Sequence, residues 1–209
     1  MLSKTSGRRV AAAAASLVGL FAPVALVGPA SAEAERSYFF EETASAFWAV
    51  PHQCADGSTV QATLLVITTR DFEAPETEDA DPTARVQYQA VCSGSSFSWV
   101  GILPATITST ENLKSVDATG SGTVRDNRGV FHQVSFDVAY TGVGPLETEV
   151  DSNVAEGFSV NTSTRKEREA VADGLVTFDG AVLIDGANNH PTRPAPFIRT
   201  DEERTTRMP

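Results

Sequence analysis

Cysteine is nearly absent from this chain. The two present, Cys54 and Cys92, fall two ligands short of a tetrahedral metal site. His52 lies two residues before Cys54, but a His-x-Cys beside one distant cysteine is an incomplete set. Histidine is almost as scarce: His52, His132 and His190 are scattered, with no carboxylate at a metal-site spacing. His132 falls on the apolar phase of its segment, which suits a partly buried structural residue. A Gly-x-Ser-x-Gly elbow, a His-Glu-x-x-His pair and a phosphate loop are all missing. No catalytic residue can be named, although a carboxylate pair assembled in space stays open because acids are plentiful.

Positive charge is also short: 16 Lys and Arg stand against 27 Asp and Glu. That balance argues against nucleic acid and anionic membrane surfaces, which would be repelled. The one long apolar run, Val10–Val27, follows Lys4, Arg8 and Arg9 and precedes Ala30-Ser31-Ala32. This is the layout of a cleaved secretory signal over residues 1–32. Pro23 and Gly28 break the run, and a stable span needs about 20 apolar residues, so cleavage is favoured over anchoring and the protein is not integral to the membrane. Arg8-Arg9 leaves twin-arginine export open beside general secretion. Residues 33–209 then hold thirteen basic residues against 27 acidic, a net charge of −14. No sorting motif or hydrophobic C-terminal anchor appears, so free secretion to the extracellular space is expected. In that setting Cys54 and Cys92 read as one disulfide, joining the segment after the first strand to the end of the third.

Helical periodicity is absent, and period 2 dominates. Val60, Ala62, Leu64 and Val66 share one face of Thr59–Thr69. Val86, Tyr88, Ala90 and Cys92 do so in Arg85–Cys92, and Val134, Phe136, Val138 and Tyr140 in Val130–Tyr140. Ala172, Gly174, Val176, Phe178, Val182 and Ile184 follow in Ala170–Ile184. Tyr38–Val50 and Ser96–Ile102 also read as strands, while Ser163–Glu169 suits a helical turn or the start of a strand. Turn residues separate these runs at Asp56-Gly57, Ser93-Gly94, Asp126–Gly129, Gly142–Pro145 and Asp179-Gly180. The expectation is an all-β antiparallel sandwich (alternatively a small barrel) of about eight to ten strands over residues 33–186. Residues 187–209, with Pro191, Pro194, Pro196 and Pro209 and four arginines, read as a mostly disordered tail. Within it, Phe197-Ile198 is the only candidate for a short edge strand.

Two features carry possible sites. Asp71, Glu73, Glu76, Glu78, Asp79 and Asp81 crowd one inter-strand loop, where carboxylates at this density suit weak Ca²⁺ binding. The irregular spacing, with Pro75 and Pro82, favours a solvated loop, and no other cofactor is implied. Trp48, Phe97 and Trp99 form the second group. Phe97 and Trp99 share a face and would stack on a sugar ring if exposed, but rings of this size ordinarily fill cores. Ser96 and Ser98, on the opposite phase, agree with the core reading.

Three stretches, Ala118–Asp126 (ATGSGTVRD), Val134–Leu146 (VSFDVAYTGVGPL) and Glu169–Gly180 (EAVADGLVTFDG), resemble small secreted all-β proteins of high-GC Gram-positive bacteria with no assigned activity. The resemblance implies the fold and an exported location, and it transfers no catalytic residue. The functional expectation is a secreted, non-enzymatic binding or interaction protein whose partner is an extracellular protein or glycan. Inhibition of a secreted protein through the Asp71–Thr83 loop, or carboxylate-based hydrolysis, are the alternatives.

Overall fold

The computed structural model describes residues 35–74, 81–155, 159–188 and 195–207. The segment expected to be an export signal, with Glu76, Glu78, Asp79 and His190, lies outside the described residues. Ten antiparallel strands form one sheet: β1 (Glu35–Gln53), β2 (Thr59–Ala74), β3 (Thr83–Cys92), β4 (Ser95–Ser109), β5 (Ser115–Asp126), β6 (Phe131–Gly142), β7 (Glu147–Ala155), β8 (Ser159–Phe178), β9 (Ala181–Ala187) and β10 (Phe197–Arg207). A single 3₁₀ turn, Glu111–Leu113, is the one helical element among the described residues.

The period-2 residues point inward as the pattern requires. Ala46, Trp48 and Val50, Ala62, Leu64 and Val66, Val86 and Tyr88, and Val134, Phe136, Val138 and Tyr140 are all buried. Small residues make room for the rings. A Cβ on Gly174 would lie 3.3 Å from Trp48 Cζ2, and one on Gly120 would lie 2.6 Å from Phe136. Trp48 also donates its Nε1–H to the Gly186 carbonyl of β9 at 3.2 Å, which satisfies its one polar group.

The ladder runs β1-β2-β3-β4-β5-β6-β8, and β10 then pairs with both β8 and β1. Eight strands therefore close into a ring. This is the connectivity of a barrel; pressed flat, the same ring has the two facing walls of a sandwich. The long β8 makes closure possible. Its first half pairs with β7 and β10, its second half with β6 and β9.

One open reading is resolved here and one expectation changes. Ser163–Glu169 is strand, part of β8. The tail expected to be disordered instead supplies β10, an eleven-residue strand with partners on both edges. The reason is again period 2. Ile198 and Thr200 face the core at 0% and 6% exposure. The charges that made this segment look solvated meet partners on the sheet: Arg165 and Arg199 both reach Asp201 (2.9 and 2.8 Å), and Lys166 reaches Glu202 (3.6 Å). Such surface pairs contribute little each, so the buried Ile198 and the two ladders hold the strand.

Candidate functional site

The β1–β2, β3–β4, β5–β6 and β8–β9 turns lie at one end of the ring, because antiparallel neighbours alternate direction. Cys54 and Cys92 form a disulfide there, with Cα atoms 5.9 Å apart, fastening the first hairpin to the second. His52 lies close to both sulfurs, but bonded sulfurs are not thiolate ligands. His52 instead stacks on Phe97, with centroids 5.8 Å apart, and its Nδ1 lies 2.9 Å from the Tyr88 hydroxyl. Burial pushes that phenol up to about 12. A stack of rings then crosses the interior from Tyr88 to Trp99 (5.7 Å), Phe178 (5.4 Å) and His132 (4.4 Å).

His132 is clamped between two carboxylates. Its Nδ1 lies 2.7 Å from Asp179 Oδ2 and its Nε2 3.3 Å from Asp126 Oδ2. Each aspartate also shapes a turn. Asp126 Oδ1 accepts the Arg128 and Val130 amides at 2.9 and 2.8 Å, and Asp179 Oδ1 accepts the Gln133 amide at 2.9 Å. Asp179 has φ 49° and Gly180 φ 79°, the left-handed pair of a tight two-residue hairpin. The hydrogen bond to Asp179 raises the pKa of His132 above its ordinary value, with Asp126 adding to it against some desolvation. His132 lowers that of Asp179 in return. For Asp126, desolvation works against the charged form, but the Val130 amide, His132 and the Arg128 amide together bring it down. The two carboxylates thus favour the charged form of His132, and the trio ties the β5–β6 turn to the β8–β9 turn. Both carboxylates are committed to His132 and to backbone amides.

Outside this end, on the β3–β4–β5 wall, lies a shallow groove of ≈ 270 Å³ lined by Arg85, Gln87, Ser98, Val100, Arg125 and Asn127, with Trp99 and Asp126 behind. One cross-strand row runs through it: Gln87 opposes Val100, Val100 opposes Arg125, and Arg125 opposes Phe131. Val100, Ile102 and Phe131 are 49%, 73% and 70% exposed. Asn127 closes one end of the groove, its Nδ2 donating to the Ser96 carbonyl at 3.0 Å and its backbone N–H to Ser98 O at 2.9 Å.

The arginines here differ from four of those elsewhere, though Arg168 on β8 also lacks a carboxylate partner among the described residues. Arg70, Arg165, Arg199 and Arg204 each pair with a carboxylate. Among the described residues, Arg85, Arg125 and Arg128 pair with none. Neutral groups orient them instead. Arg85 Nη2 donates to Gln87 Oε1 at 3.1 Å, and Arg125 Nε donates to Gly129 O at 3.2 Å. Arg125 lies 5.6 Å over the Phe131 ring, and Arg128 lies 5.7 Å over that of Phe97.

Of the residues singled out in the sequence, Cys54 and Cys92 are joined as expected. Trp48 and Trp99 are 1% and 3% exposed, so they lie in the core rather than on a stacking surface, and Phe97 is only partly exposed beside them. Asp71 and Glu73 belong to the end of β2, opposite Glu41 and Phe39 of β1, while Asp81 lies two residues before β3. Sequence reasoning missed Arg85, Val100, Ile102, Arg125 and Phe131. A signal was present: Val100, Ile102 and Phe131 are apolar residues on the outward phase of β4 and β6. No family model matches the chain, and neither a curated protein nor a solved structure does. Among the described residues no helix is long and apolar enough to cross a membrane.

Proposed function

We propose that this is an exported, non-enzymatic binding protein that engages its partner on the outer wall of β3–β6. The observation that carries this reading is the exposed row of Val100, Arg125 and Phe131, with Ile102 beside it, on a wall whose inner face is filled. Large apolar side chains scattered singly on a surface need no explanation, but a contiguous set beside a groove marks interaction sites. The disulfide supports an oxidising, extracellular location. The interior offers less support for a ligand chamber, since Trp48, Tyr140, Leu64 and Leu103 fill it.

The test uses immobilised residues 33–209 and a soluble panel of peptidoglycan fragments, chito-oligosaccharides, and acidic, basic and neutral peptide pools. The comparison protein carries Val100→Thr, Ile102→Thr and Phe131→Thr, changes that keep strand propensity. Retention of one panel member, weakened at least tenfold in the triple variant at unchanged melting temperature, is expected. Equal retention by both proteins, or none by either, would overturn the proposal.

A further inference from the structure

We infer that the Arg85–Arg125 groove takes the carboxylate of a short acidic peptide segment whose neighbouring apolar side chains rest on Val100, Ile102 and Phe131. This rests on the wall reading above and names the chemistry of its partner.

Charge is the first argument. Seen as a whole, the chain carries a net charge of −11 and a surplus of carboxylates that could have neutralised these guanidiniums. Four other arginines are neutralised in that way, although Arg168 is not. In the groove the fold instead holds Arg85 by the Gln87 amide oxygen and Arg125 by the Gly129 carbonyl. Both side chains are oriented, yet both keep their full charge and their remaining N–H donors. A guanidinium fixed by neutral acceptors is prepared for an anion, because less conformational freedom is lost when the anion arrives.

The second argument selects among anions. A long polyanion, whether nucleic acid or polyuronate, would extend beyond the groove over a surface of the same sign and be repelled. A short segment bearing one or two carboxylates avoids that. The third argument is the apolar flank. Phe131 and Val100 alternate with Arg125 in the same row, so a ligand reading the row meets apolar, cationic, apolar surface in turn. A peptide with an acidic residue between apolar ones matches this order. A sugar chain, rich in hydroxyls, finds a single exposed ring in the row, that of Phe131.

The experiment is fluorescence anisotropy of a labelled octapeptide alternating Glu and Leu, blocked at both ends, against residues 33–209 at 50 mM salt. Counterparts with Gln for Glu and with Lys for Glu, and an unlabelled polyglucuronate, complete the set. Saturable binding of the Glu peptide is expected, at least tenfold weaker for the Gln peptide and weaker still for the Lys peptide. Arg85→Gln with Arg125→Gln should cost at least tenfold, the single Arg85→Gln an intermediate amount, and Arg165→Gln on the opposite part of the sheet nothing. Raising the salt to 200 mM should weaken binding. Equal binding of the Glu and Gln peptides, or indifference to both groove variants, would overturn the inference. Tighter, groove-dependent binding of polyglucuronate would overturn it in favour of an anionic glycan. If the Glu peptide fails while another panel member still needs Val100, Ile102 and Phe131, only this inference falls. If nothing needs them, the wall reading falls too.

Discussion

Ile198→Ala tests whether the C-terminal segment closes the ring. Ile198 is fully buried, opposite Ala44 on one side and Arg168 on the other. The substitution deletes three carbons, each worth about 0.8 kcal/mol on burial. A cavity adds to this, because Ala44 is too small to fill the space, so the total is about 3 kcal/mol. For a domain of this size that corresponds to a melting temperature lower by about 6–12 °C. Differential scanning calorimetry of residues 33–209 reads it directly. Val182→Ala is the control: Val182 sits on β9, which pairs with β8, is 60% exposed, and should change almost nothing. If Ile198→Ala melts with the parent protein, β10 is not docked and the ring is open.

Three further outcomes follow from the capped end. Replacing both Cys54 and Cys92 by Ser releases a cross-link spanning 38 residues; the chain-entropy estimate is about 4 kcal/mol, seen as a loss of about 8–16 °C, and an unchanged melting temperature would show that the bridge is not structural. The His132 clamp makes stability depend on pH. The raised His132 pKa means its contribution is complete below the ordinary value of 6.5 and is lost as pH rises through the higher folded value. The lowered Asp126 and Asp179 contributions are complete above 3.8 and are lost as pH falls through their folded values. The melting temperature should therefore drop between pH 5.5 and 8.5, and His132→Gln should flatten that drop; parallel profiles would refute the clamp. Trp48 and Trp99, both buried, should resist acrylamide quenching and show no emission shift with chito-oligosaccharides. Quenching like free indole, or a saturable shift, would return them to a surface role.

Much of the fold was legible where one face of a strand is buried. The alternations in β2, β3 and β6 match the inward residues, and the turns fall at Asp56-Gly57, Ser93-Gly94, Asp126–Gly129 and Asp179-Gly180. Two strands escaped for physical reasons. β7 has only Val150 and Val154 as large apolar residues, both exposed, so it has no buried face to read. β10 carries six charged residues among eleven, and these look solvated until β8 supplies partners such as Arg165 and Lys166. The groove was hidden more deeply. Arg85, Val100, Arg125 and Phe131 occupy outward positions on four different strands, and only the pairing register brings them into one place. The clamp was half visible: His132 read as a partly buried structural residue, but its link to Asp179 depends on β8 lying beside β6.

The most direct measurement of the binding surface is an amide chemical-shift map of ¹⁵N-labelled protein titrated with the alternating Glu–Leu peptide. Saturable shifts should centre on Gln87, Val100, Arg125 and Phe131 and fade along β7 and β10. Shifts centred on β7, on β10 or on the rings beneath the disulfide, or no shifts at all, would contradict the placement of the site on the outer β3–β6 wall.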